Sequence, residues 1–218
     1  RSQAAAIWSS KVEDMDHYPA ASLIRFYANH DLLGLVSQIN WRTVTGGSRS
    51  YVDRLRVAVP DIRTGTAVRA VHRTPDGVQI RDSHGRVDPY DHVVVATHAD
   101  QALALLETPT ADERRLLSPF KVSRNLAVLH RDPGLMPQRR SAWAAWNHLG
   151  RAGASSVTYW MNRLQSLPGE DLFVTLNPVV KPASGTVIRA DLYEHPLFDA
   201  ETDQAQKQLW TLQGVNRT

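Results

Sequence analysis

The hydrophobic and polar positions of this 218-residue chain change period several times. Between Tyr18 and Leu33 apolar residues recur at helical spacing. Leu23, Phe26 and Tyr27 share one face, Leu33 continues the apolar surface, and Gly34 marks a stop. The run TVTGGS follows, and Ser48 is placed to cap a helix carrying Tyr51, Val52 and Leu55 on one side. The period then falls to two. Thr66 to Arg73 alternates as a strand, and Val78 to Arg81 returns as its partner. The turn between them, Thr74-Pro75-Asp76-Gly77, has proline to preset φ and glycine to accept positive φ. Asp82 to Gly85 marks a second turn. Val93 to Ala96 is a continuous apolar run, the pattern of a strand buried on both faces.

Gln101 to Glu107 reads as helix, and Thr110-Ala111-Asp112-Glu113 is a capping box opening another. After Pro119 the texture changes. Asn125 to His130, Ser156 to Met161, Leu172 to Leu176 and Thr186 to Leu192 read as strands between turns rich in Gly, Pro and Asn. Asp199 to Gln213 closes as a helix with Ala205, Leu209 and Leu212 on one face and Gly214 as its stop. The pattern predicts a mixed α/β fold: α/β material with a long hairpin up to about His98, then an antiparallel sheet flanked by helices.

Composition narrows the function classes. The chain is 42% hydrophobic and 22% charged, an ordinary globular balance. It has no cysteine, which excludes disulfides and thiolate chemistry and fits a reducing, cytoplasmic location. The net charge is +3, but the basic residues are scattered, with Arg139-Arg140 the densest cluster, so no nucleic-acid partner is expected. No apolar run approaches the ~20 residues of a transmembrane helix. The histidines do not match metal-ligand spacing, so no metal is expected. Neither a GxSxG elbow nor a GxxxxGK[ST] loop occurs, which argues against a hydrolase or a P-loop enzyme.

Several residues carry chemistry that competes with a plainer structural role. Gly46-Gly47-Ser48 lets backbone approach a ligand closely and points helix amides at an anion, yet the same triplet makes a tight turn with a capped helix. Val68 is a strand residue whose backbone could face an adenine. Ala96-Thr97 ends the apolar run, where open α/β sheets gather ligands. Trp143, Trp146 and Trp160, with Tyr159, form either an aromatic-walled pocket or a bulky sheet core. Asn147 and His148 add hydrogen-bonding capacity there.

With those residues in view, the chain resembles the flavin-containing amine oxidase superfamily. It looks closest to a bacterial NAD/FAD-binding branch often associated with cyclopropane-fatty-acid synthase. The resemblance is carried by NWRTVTGGSRSYVDRL (Asn40 to Leu55), the hairpin TAVRAVHRTPDGVQIRD, DHVVVATHADQALALL (Asp91 to Leu106), RRSAWAAWNHL (Arg139 to Leu149), VTYWMNRLQSL (Val157 to Leu167) and HPLFD (His195 to Asp199). It implies an FAD- or NAD(P)-binding Rossmann-like domain interleaved with a substrate domain built on a mixed sheet. Residues 1–42 would be substrate-domain helices, 43–118 part of the FAD domain, and 119–218 the substrate-domain sheet and closing helix.

By the same resemblance, Gly46, Gly47, Ser48, Val68, Ala96 and Thr97 would bind FAD. Trp143, Trp146, Asn147, Tyr159 and Trp160 would face a small, hydrophobic, lipid-like substrate. The implied activity is oxidation of a C–N or C–C bond by hydride transfer to flavin, with no catalytic residue identified. A non-catalytic module supporting a lipid-modifying enzyme, and an NAD(P)-dependent oxidoreductase, are the alternatives. Peripheral membrane contact is compatible with either. The GxGxxG fingerprint and the final glycine-rich segment of the family are absent, so the expectation is an internal fragment, inactive by itself.

Overall fold

The computed structural model describes residues 2–8, 13–33, 42–151 and 154–218. In chain order the helices are α1 (Ser2–Ile7), α2 (Ala20–Asn29), α3 (Ser48–Ala58), α4 (Ala99–Leu105), α5 (Ala111–Leu117), α6 (Met161–Gln165) and α7 (Ala200–Gln206). The strands are β1 (Val68–Arg73), β2 (Val78–Asp82), β3 (Val87–Tyr90), β4 (Val122–His130), β5 (Trp146–Arg151), β6 (Ala154–Trp160), β7 (Phe173–Leu176) and β8 (Val187–Pro196). They form a mixed α/β fold whose sheet pairings are antiparallel. The chain divides into two compact units. One comprises Arg1–Ala58 and Val122–His195, the other Val59–Lys121 and Pro196–Thr218.

The first unit is built on a five-stranded sheet of order β5-β6-β7-β4-β8. Registers across β5, β6, β7 and β4 decide which side chains share a face. Directly paired residues point the same way and neighbours along a strand alternate. One face therefore carries Asn147, Thr158, Trp160, Phe173, Thr175, Val128 and His130. The other carries Trp146, His148, Val157, Tyr159, Val174, Leu176, Ala127 and Leu129. The first face is buried but for a half-buried Trp160, and its core is Met136, Trp143 and Phe173 with Trp160 against it. In α2, Leu23, Phe26 and Tyr27 are half-buried on one side, as their spacing predicts, whereas Leu33 is exposed. Phe26 anchors a second aromatic group with Trp8 at 4.9 Å and a stacked His30 at 4.0 Å. The expected stop at Gly34, and Asn40 and Trp41, lie outside the described residues.

The second unit holds the meander β1-β2-β3. Its core is Val71, Val78 and Leu106, with Ile80, Val93 and Leu105 packed against it. The capping box forms in full at α5: Thr110 accepts from Glu113 N–H while Glu113 accepts from Thr110 N–H. Asp199 caps α7 by accepting from Thr202 N–H.

Several expectations are corrected. The run Val93 to Ala96 is not a strand, and Val94 is 91% exposed. An apolar run becomes a buried strand only between ladder partners, and here Val93 N–H instead donates to Arg217 O (2.9 Å). The closing helix ends at Gln206, and Leu209–Leu212 continues as a 3-10 turn before Gly214 at φ +77°. Gly77 does not adopt positive φ. Glycine is required there because a Cβ would sit 2.7 Å from the Tyr90 carbonyl oxygen. Ser48 is already the first helical residue of α3, and Ser50 makes the local side-chain bond, donating to Gly47 O (2.8 Å). The alternation pattern does not reveal strands β3 and β5. Pro89 hides the first, and the second reads as a tryptophan cluster rather than an alternating run.

Candidate functional site

The proposed cofactor residues fall in both units. Gly46 and Gly47 belong to the first unit and both lie in the left-handed region, at φ +79° and +74°. That conformation favours glycine, which accounts for the pair in backbone terms alone. Gly47 N–H donates to Val44 O (2.9 Å), so this amide is engaged within the turn. The helix that follows buries none of its side chains; Leu55 is 61% and Val57 88% exposed.

Val68, Ala96 and Thr97 belong to the second unit, and the structure brings them together. They line one cavity of about 330 Å³ with Val71, Ile80 and Leu105. Register shifts between Val68 and Ala70, a bulge that re-aims the start of β1. The cavity lining is mainly aliphatic, suited to the flat face of an aromatic ring. Two buried polar atoms follow in sequence, His98 Nδ1 and Asp100 Oδ1, and neither has a protein partner. A buried polar atom left unpaired costs about 1–3 kcal/mol. Residues 92–95 also line a second hollow of about 280 Å³ with Leu117 and Leu212.

The proposed substrate residues split between the faces of the five-stranded sheet. Trp143 and Trp160 meet edge to face at 5.3 Å, and Trp143 meets Phe173 at 5.6 Å. Their indole N–H groups are occupied: Trp143 donates to Pro137 O and Trp160 to Asp171, each at 2.8 Å. Arg140 closes the edge of this cluster. Its guanidinium lies 4.4 Å from the Trp143 ring and pairs with Asp171 at 2.9 Å. That contact, with the Trp160 bond, holds the Asp171 carboxyl below the usual carboxylate range.

Asn147 is buried and fully used. It accepts from Ala144 N–H and donates to Ala144 O, Thr158 O and Met136 Sδ. Trp146 and Tyr159 lie directly opposite one another across β5 and β6, on the other face, and both are half-buried. Trp146 stacks on His148, with ring centroids 6.4 Å apart.

Two polar assemblies have no signature in the sequence. Arg73 and Glu113 form a buried two-point ion pair, their side chains 8% and 6% exposed. The capping box revealed Glu113, but its basic partner lies 40 residues earlier. The second assembly runs from His130 through Thr175 to Thr158, side chains that alternation alone assigns to an apolar face. Among the described residues no three His, Asp or Glu side chains are grouped to hold a metal, and no helix is long and apolar enough to cross a membrane.

Comparison with known proteins gives these geometries a family. The (S)-6-hydroxynicotine oxidase of Paenarthrobacter nicotinovorans is 26% identical over 113 residues, which is 52% of this chain and 24% of the oxidase. The crystal structure of a CLA-producing fatty acid isomerase from P. acnes superposes with a TM-score of 0.55 at 13% identity, covering 79% of this chain and 46% of the isomerase. A putrescine oxidase variant covers 79% of the chain at a TM-score of 0.41 and 11% identity. The chain thus spans less than half the length of each relative. The family model for flavin containing amine oxidoreductases matches residues 3–130, more than half of the chain. On that match, the chain belongs to the flavin-containing amine oxidoreductase family.

Proposed function

We propose that the complete protein is an FAD-dependent oxidoreductase acting on a C–N or C–C bond of a hydrophobic substrate. One observation carries the reading. The residues expected to hold the adenosine end of FAD, Val68, Ala96 and Thr97, line a single aliphatic cavity within a chain that belongs to a flavin family. The cavity fits that group by its mainly aliphatic walls, which suit the flat face of a ring, with the Thr97 side chain at its margin. FAD bound there would supply acceptance of a hydride equivalent. The residues of this chain would hold and orient it. Gly46 and Gly47 would permit close backbone approach, and Trp146 and Tyr159 would offer a half-exposed aromatic surface to an apolar substrate. A lipid-like substrate is in keeping with that surface, and the isomerase of similar fold is named for a fatty-acid activity. Trp143, Trp160 and Asn147 would support the wall from the other face.

The test is the visible absorption spectrum of the purified complete polypeptide. Flavin bands that persist through gel filtration support the reading. A polypeptide that is colourless, and stays so after incubation with FAD, overturns it in favour of a non-catalytic module that supports a lipid-modifying enzyme. Flavin-free protein that binds NAD(P) would favour the nicotinamide alternative.

A further inference from the structure

The five-stranded sheet buries a titratable group that the flavin reading does not use. His130, at the end of β4, is fully buried. Its Nδ1 accepts from Asp132 N–H (3.1 Å), which places the ring proton on Nε2. The Nε2–H then donates to Thr175 Oγ1 on β7 (2.8 Å). With that oxygen accepting, the Thr175 hydroxyl is free to donate to Thr158 Oγ1 on β6 (2.9 Å). Three strands are therefore tied by one directional row that requires a neutral imidazole in a single tautomer.

Both ends of the row are coupled to structure. Asp132 Oδ1 accepts from Gly134 N–H (2.8 Å) and Oδ2 from Ala183 N–H (2.9 Å), joining the turn after β4 to the segment that leads into β8. The His130 ring also packs at 5.6 Å on Phe173, which meets Trp143 edge to face. We propose that the His130–Thr175–Thr158 row is a proton-operated latch: neutral imidazole closes it, and an imidazolium opens the Asp132 turn and loosens the aromatic cluster. The chemistry is one-sided. A protonated ring presents N–H at both nitrogens, so Nδ1–H would face Asp132 N–H with no acceptor between them.

The latch has a defined working range. Burial pushes the His130 pKa down, and the Asp132 charge opposes this only in part. Asp132 is the charged group acting on the ring among the described residues. The groups facing it from β7 and β6 are Phe173, Thr175 and Thr158, none of which titrates in this range. Hydrogen bonds from Ala183 and Gly134 hold the Asp132 carboxyl below its usual range, so it stays ionised while His130 takes up a proton. In an unfolded chain histidine binds its proton near pH ~6.5. The folded state resists that proton, so stability is complete above ~6.5 and declines as pH falls through the depressed folded value.

The experiment follows tryptophan emission and the His130 imidazole proton resonance of the protein from pH 7.5 to pH 4.5. The expected result is one reversible transition in both signals with a midpoint below ~6.5. His130→Gln carries an N–H donor and an acceptor oxygen but cannot become a cation, and it should abolish the transition. A transition that persists unchanged in H130Q, or a flat wild-type profile, overturns the latch. If H130Q does not fold, Asp132→Asn decides. It removes the charge that helps His130 bind a proton, so the midpoint should move to lower pH, and an unmoved midpoint overturns the proposal. This inference is independent of the flavin reading, because neither signal requires bound cofactor.

Discussion

Removing the Glu113 carboxylate should destabilise the second unit more than any surface substitution could. Glu113 receives both terminal nitrogens of Arg73, at 2.5 and 2.9 Å, and the Thr110 N–H at 2.7 Å. In Glu113→Ala the guanidinium stays buried with Thr108 O as its remaining partner (2.8 Å). Breaking a buried ion pair by removing one partner costs about 3–5 kcal/mol. Losing half of the capping box adds about 0.5–1 kcal/mol, though the two losses share an atom and do not simply sum. We therefore expect a loss of about 3–5 kcal/mol in urea unfolding followed by far-UV circular dichroism. Glu113→Gln retains an acceptor for Thr110 N–H and should lose about 1–3 kcal/mol.

The pH dependence of this pair has a definite sign. Arg73 first, and then the Thr110 bonds, hold the Glu113 pKa below its ordinary value despite desolvation. Its contribution is therefore complete above the unfolded value of about 4.3 and is lost as pH falls through the depressed folded value. A Glu113→Ala loss below ~1 kcal/mol, the range of an exposed pair, would refute the claim that this pair pins β1 to α5.

Four further substitutions separate structural from functional roles. Gly77→Ala should destabilise the meander by about 1–3 kcal/mol through overpacking, because its Cβ would meet the Tyr90 carbonyl at 2.7 Å; an unchanged urea midpoint would show that the turn relaxes freely. Gly47→Val places a β-branched residue at φ +74° and should lower the flavin absorbance per polypeptide of the complete protein; full occupancy would remove Gly47 from the site. Trp143→Ala should cost about 3–5 kcal/mol of stability. Trp146→Ala, at a half-buried position, should leave the fold intact and change turnover; the reverse ranking in thermal unfolding would invert the assignment of the two faces.

What the sequence made legible was local. The Thr110–Glu113 box, the Asp199 cap, the two hairpin strands and the strands β4, β6, β7 and β8 all rest on neighbours within a few residues. What it hid depends on partners distant in the chain. Arg73 is charged and sits at the end of a strand, so it reads as solvated until Glu113 is placed on it. The tryptophans read as one cluster because Trp143, Trp146 and Trp160 are close in sequence. Strand pairing then sends Trp146 and Tyr159 to one face, and Trp160 with Asn147 to the other. Trp143 and Trp160 therefore belong to the core, while Trp146 and Tyr159 are half-buried on the opposite face. His130, Thr158 and Thr175 escaped for the opposite reason. Each is polar and unremarkable alone, and only the register places them within bonding distance.

The segment from Val93 to Ala96 shows the same limit at the level of backbone. Four apolar residues in succession carry the composition of a central parallel strand, and the structure leaves them outside any ladder. Hollows lie against this segment, about 330 Å³ and 280 Å³ in volume. A strand flanked by ladder partners protects its amides from exchange, whereas a segment without them does not. Val93 N–H is bonded to Arg217 O at 2.9 Å. Val94, at 91% exposure, has its side chain almost wholly in solvent. In this chain the amides of Val94 and Val95 should therefore exchange far faster than those of His72 and Ile80, which lie within the β1–β2 ladder. Hydrogen exchange followed by NMR reads the difference directly. Protection at Val94 and Val95 equal to that at Ile80 would mean that the segment is paired in solution as a strand, against its unpaired state in the structure.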